Sequence, residues 1–173
     1  MTFVPLNRNG GFEARAFADG SGYFALARVG YEHADAFDYD LMVQLCLPDA
    51  TATEDWPEYS FLIVKRHRTT GDYRAIFDSA ESNAFIPKAH RRRIRSWLLT
   101  MTENVLLASN CDAFFMVTFC DNLPPVALEK YEALCQLFRR HGYNVTQTEP
   151  VTGKYHWFVG RRRPSAKGIP AMR

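Results

Sequence analysis

Apolar residues recur at two different periods along this chain, and the change from one to the other divides it. Up to residue 77 they come in short runs rich in aromatic side chains, set off by turn residues. Runs at 12–17 and 23–29 flank Asp19-Gly20-Ser21-Gly22 and predict a β-hairpin. Further strands are expected at 39–47, 59–66 and 73–77, with a polar surface loop at 48–58 and a turn at 67–72. The period then lengthens. Ile94, Trp97, Leu98, Met101 and Val105 stand at i, i+3, i+4, i+7 and i+11, one face of a helix placed at 87–108, with Pro87 in its first turn. The run 113–119 is almost wholly apolar, as in a central strand covered on both faces. Asp121-Asn122 offers an N-cap and Pro124-Pro125 open a second helix, whose stripe is Leu128, Tyr131, Leu134, Cys135 and Phe138 and whose stop is Gly142. Strands at 143–149 and 154–161 close the pattern, joined at Pro150-Val151-Thr152-Gly153.

The expected order is β-β-β-β-β-α-β-α-β-β, an α+β fold with a mostly antiparallel sheet and two helices. It implies a single domain over 1–161 and a loose basic tail over 162–173. Trp97, Phe115, Leu134 and Phe138 are expected in the core. A chain of 173 residues buries roughly 70% of its unfolded surface and needs no covalent staple. The four cysteines form no C-x-x-C pair and read as free core thiols in a reducing compartment. No apolar run is long enough to span a bilayer and no secretory leader opens the sequence, so a cytoplasmic protein without a membrane partner is expected.

Charge changes this picture. The net charge of +2 conceals strong sorting. No Lys or Arg lies between Arg28 and Lys65, where eight acids fall: Glu32, Asp35, Asp38, Asp40, Asp49, Glu54, Asp55 and Glu58. Residues 65–95 then carry nine bases against three acids, 96–138 one against five, and 139–173 eight against one. If the basic blocks share a face, that face attracts an anionic partner, either nucleic acid or an acidic protein surface. The sharpest cluster is Lys88-Ala89-His90-Arg91-Arg92-Arg93-Ile94-Arg95, at a helix start. Helix starts favour acids, because their free N–H groups and the macrodipole are positive. Five bases there carry a cost that a bound phosphate would offset. Lys88, Arg92 and Arg95 share one stripe, with Arg91 beside it. Lys65, Arg66 and Arg68 at a strand end, and Arg161 and Arg162 where the last strand runs out, would widen the anion-binding surface. Docking of the acidic block onto the basic helix, or plain solvation of both, is the simpler alternative. In a third reading the acidic block 32–58 is itself the working surface and meets a basic partner.

Other chemistry is sparse. The acidic stretch around Glu32, His33, Asp35, Asp38 and Asp40 lacks the glycine and terminal glutamate of a calcium loop, so it reads as a solvated loop and no metal is expected. Cys120 precedes a helix start, but position 126 is Val, not the Arg that a Cys-based phosphatase requires. No catalytic residue is assigned.

From the third strand onward, the order three strands, helix, strand, helix, two strands resembles that of the GNAT acyltransferases, over residues 39–161. Leu137-Phe138-Arg139-Arg140-His141-Gly142-Tyr143 is similar to that family's late Leu-Tyr-x-x-x-Gly-Phe turn. The resemblance implies an acyltransferase scaffold using acetyl-CoA, with the basic helix start serving the CoA phosphates. The family's glycine-rich phosphate loop is replaced by Glu81-Ser82-Asn83-Ala84-Phe85-Ile86-Pro87, and its general-acid tyrosine by Phe138. A non-enzymatic binding domain is therefore the first expectation and the acyltransferase the second.

Overall fold

The runs of the N-terminal half pair with one another in sequence order. The computed structural model describes residues 3–6, 12–32, 36–48, 56–77 and 79–162. Its strands are β1 (Phe3–Pro5), β2 (Ala14–Ala16), β3 (Gly22–Glu32), β4 (Phe37–Cys46), β5 (Glu58–His67), β6 (Tyr73–Ile76), β7 (Ala113–Val117), β8 (Tyr143–Gln147) and β9 (His156–Arg161). Its helices are α1 (Ser79–Phe85), α2 (Lys88–Ser109) and α3 (Pro125–Arg140). The fold is α+β, with one mixed, mostly antiparallel sheet in the order β1-β3-β4-β5-β7-β9-β8, β2 lying beside β3 and β6 beside β5. The expected hairpin forms between β2 and β3.

Two elements lacked a sequence signal. Strand β1 is three residues long and carries Pro5 on a sheet edge, where a missing N–H is tolerated. Helix α1 reads SAESNAF, with no apolar stripe to betray it. The tail beyond Arg162 lies outside the described residues, as does most of the 48–58 loop.

Helices α2 and α3 pack on the same sheet face. That face presents Tyr39, Leu41, Val43, Leu45, Tyr59 and Ile63, all buried. Leu98, Met101, Thr102 and Val105 of α2 meet it at helical spacing, and Tyr59 shares a 2.6 Å hydrogen bond with Thr102. Helix α3 contributes Tyr131, Leu134, Cys135 and Phe138. Phe138 stands edge-on to both Tyr59 and Phe114, at 5.5 and 5.1 Å between centroids. Gly142, at φ 84°, ends α3 as expected. The Asp121-Asn122 cap does not form. Asn122 turns left-handed, at φ 49°, and donates its N–H to the Gly153 carbonyl, so Pro124 takes the N-cap position without a side-chain bond.

No described helix covers the opposite face. Met42, Phe115 and Val117 are half-buried there, and Leu26, Trp56 and Phe158 are about half exposed. Strand β7 is therefore covered on one face, not two: Phe114 and Met116 are buried, while Phe115 is only half-buried. Trp97 is also half-buried, at the margin of the α2 stripe against Phe12.

Candidate functional site

The parallel pair β5–β7 is where the sheet opens. Glu58 and Tyr59 stand beside Phe115 and Met116, whereas residues 63–66 of β5 pair with β6. Among the described residues neither neighbour is in register with Ser60, Phe61 or Leu62. The Phe115 N–H donates to the Pro57 carbonyl (2.9 Å), so odd-numbered residues of β5 turn their peptide groups to this edge. Strand alternation puts the N–H and C=O of Phe61 in the gap.

A cleft of about 690 Å³ opens beside this gap, between β5, the α1–α2 elbow and the start of α3. Leu41, Phe61, Ile63, Ile86, Leu98 and Leu123 give it an apolar floor, and Arg91, Arg95 and Lys130 line its rim. Lys130 Nζ lies 5.2 Å from the ring centroids of both Phe61 and Tyr131. It is the one base in 96–138, which is the signal that a reading by charge block passed over. A smaller cavity of about 70 Å³ adjoins at Phe61 and Phe77 and runs between β5 and β7 to Met116, Val117, Phe119 and Tyr131. Tyr131 is buried and stacked on Trp157, with centroids 5.1 Å apart and planes at 5°. Burial, reinforced by the Cys120 thiol, pushes its phenol well above the ordinary value, so it keeps its proton at neutral pH.

The start of α2 reaches this rim without a cap. Pro87 occupies the N-cap position with no side-chain bond, and the first turn holds no acid. The basic cluster divides into two kinds of residue. Arg91 donates to the carbonyls of Asn83 (2.9 Å) and Ile86 (3.1 Å), pinning the elbow. Arg95 donates to the Glu129 carbonyl (2.6 Å) and to its Oε2 (3.3 Å), tying α2 to α3. Lys88, Arg92 and Arg93 are exposed and have no partner among the described residues.

The other basic residues expected in the anion-binding surface all have partners. Lys65 sits 3.8 Å from Glu32 and over the Phe37 ring at 4.0 Å. Arg66 meets Asp40 at 2.5 Å, and Arg68 meets Asp38 at 3.0 Å and the Glu32 carbonyl at 3.1 Å. Arg28 joins both aspartates, at 3.0 and 3.4 Å. Glu32, Asp38 and Asp40 are thus buried strand residues, which corrects the reading of them as a solvated loop. They dock on the end of β5 and not on α2. Arg161 meets Asn110 (2.6 Å) and Asp112 (3.5 Å), and Arg162 meets Asn144 (3.0 Å), beside the far end of α2. A helix of 22 residues is about 33 Å long, so these two stand well away from Lys88. Arg161 and Arg162 therefore do not join the basic start of α2 in one patch.

Cys120 lines the cleft, and all four cysteines are free thiols. Among the described residues no cluster of His, Cys, Asp and Glu is placed to hold a metal, and no helix is long and apolar enough to cross a membrane. Comparison with protein-family models, curated proteins and solved structures gives no match.

Proposed function

We propose that the protein is a GNAT-like binding domain whose cleft takes a ligand of the acyl-CoA class. The observation that carries this is the opening between the parallel strands β5 and β7, flanked on one side by an uncapped, acid-free helix start. An apolar cleft with cations on its rim suits a ligand with a phosphate-bearing head and a long, thin arm. It suits a broad macromolecular surface less well. The first-turn N–H groups of α2, with Lys88 and Arg92, would hold the phosphates. The peptide edge at Phe61, which no described strand residue pairs, would pair with the amides of the arm, as an added strand would. Such a ligand, when bound, carries its acyl group as an activated thioester.

The residues fit that head and arm, although no glycine-rich loop precedes α2. The elbow 81–87, pinned by Arg91, stands in that place. The fit does not extend to catalysis. Phe138 is buried in the core and does not line the cleft. Tyr59 and Tyr131 are the phenols that line the smaller cavity among the described residues, and burial keeps both protonated. No residue is assigned a catalytic role. The test is a thermal-shift titration with CoA and acetyl-CoA. Saturable stabilisation by both is expected, and no shift with either would sink the reading.

A second reading rests on the exposed, unpaired Lys88, Arg92 and Arg93: contact with nucleic acid. Three phosphate contacts would give a slope of log affinity on log salt of about −2 to −3. Fluorescence anisotropy with single- and double-stranded oligonucleotides at two salt concentrations reads it directly. Tight, salt-dependent binding there, with no response to CoA, would replace the first reading by the second.

A further inference from the structure

The sheet face turned away from α2 and α3 is self-complementary about its own centre. We infer that it is the interface of a two-fold dimer, in which a second copy of this chain lies face to face with the first and its strands run antiparallel to it. The register along β5 is unbroken from Glu58 to His67, so Glu58, Leu62 and Arg66 all stand on this face, with Leu62 midway between the two charges. Leu26, Met42 and Leu62 are directly paired neighbours on β3, β4 and β5 and form an apolar row across the middle. Next to that row Gln44 donates to the Ser60 hydroxyl (3.0 Å), so this polar pair is satisfied within the sheet.

The two ends of the face carry opposite charge. At one, Arg28, Arg66 and Arg68 hold Asp38 and Asp40, three guanidiniums against two carboxylates, and the arginines stay about two-fifths exposed. At the other, Glu58 is exposed and has no ion pair among the described residues. A half-turn about an axis along the apolar row lays β5 on the β5 of the other copy, Glu58 over Arg66 and Arg66 over Glu58. It matches the rings too, since Phe115, beside Glu58, falls over Tyr73, beside Arg66. Tyr73 is 76% exposed in the single chain. Nucleic acid or a lipid surface would be met by one sign of charge, not by a positive and a negative end. Strands β3, β4 and β5 give about 14 Å by 33 Å of face, and with β7 and β9 the projected area is about 600 Å². Stable interfaces begin at about 600 Å² from each partner, so a dimer of micromolar affinity is expected. The cleft opens on the helix side of the sheet, so this partner is independent of the cleft's ligand.

Sedimentation equilibrium of the full chain from about 1 to about 100 μM reads the association. A rise from 19.8 kDa toward twice that mass is expected. Leu26→Glu sets two carboxylates against each other on the axis, and Glu58→Arg sets arginine against arginine at both ends, so each is expected to raise the dimer dissociation constant at least about tenfold. Glu132→Arg makes the same change of charge on the exposed side of α3 and is expected to leave the constant unchanged. Leu26 and Glu58 are both exposed, so the melting temperature of each variant is expected to stay close to that of the unaltered protein. Glu58→Arg changes no buried residue and carries the test by itself where Leu26→Glu lowers that temperature. A chain that stays monomeric throughout the range overturns the inference. A dimer that both Leu26→Glu and Glu58→Arg leave intact overturns this face as the interface. A dimer lost in Leu26→Glu but indifferent to Glu58→Arg, or weakened equally by Glu58→Arg and Glu132→Arg, overturns the antiparallel arrangement.

Discussion

Both carboxylate oxygens of Glu32 are buried without a hydrogen-bond partner among the described residues, and Lys65 Nζ lies 3.8 Å from Oε2, near enough for charge but too far for a hydrogen bond. Such a pair loses hydration and recovers it only partly. Removing one member leaves a buried charge alone, whereas apolar replacement of both restores a dry contact. Lys65→Met is therefore expected to lose about 3 kcal/mol, and Lys65→Met with Glu32→Leu to be at least as stable as the unaltered protein, by urea denaturation. A double variant weaker than the single one would mean that the pair stabilises the fold. Phe138 is a simpler case. Fully buried between Tyr59 and Phe114, it is expected to cost about 3–5 kcal/mol on replacement by Ala in the same assay. Its burial was legible from the stripe Leu134, Cys135, Phe138. The half-burial of Trp97 and Phe115 was not, because periodicity gives a face and not what lies opposite it.

At the scale of elements, two periods sufficed to read most of the strands and both long helices, since alternation and a 3.6-residue stripe each mark one buried side. Helix α1 escaped because it is short, lacks a stripe and is positioned by contacts distant in sequence. Phe85 stacks on Tyr39 at 4.6 Å, and Arg91 holds the carbonyls of Asn83 and Ile86. Runs of arginine look alike in sequence, so Arg91 and Arg92 read as equivalent exposed charges. The fold separates them into a strut and a free cation. Arg91→Ala is expected to raise amide hydrogen exchange across 81–87 and Arg92→Ala to leave it unchanged, because local opening follows the loss of local bonds. Equal exchange in the two variants would remove Arg91 from that role.

Over the whole molecule, charge sorting in the sequence becomes charge neutralisation in the fold. Glu32, Asp38 and Asp40 meet Arg28, Lys65, Arg66 and Arg68, and what remains without a described partner near the cleft is Lys88, Arg92 and Arg93 at the start of α2. The cleft itself was not legible. It arises where β5 passes from β7 to β6, and the β5–β7 pairing joins residues more than fifty apart, which no local pattern records. Lys88 and Arg92 were legible as an electrostatic anomaly at a helix start, but only the cleft beside them suggests a small ligand. The most direct test is isothermal titration of CoA into the unaltered protein and into Lys88→Glu with Arg92→Glu, two exposed sites whose change spares the core. One-to-one binding that weakens at least about tenfold in the double variant, and weakens with added salt in the unaltered protein, is expected from two lost phosphate contacts. Absence of binding, or equal affinity in both proteins, would contradict the assignment of the cleft and helix start to a CoA-type ligand.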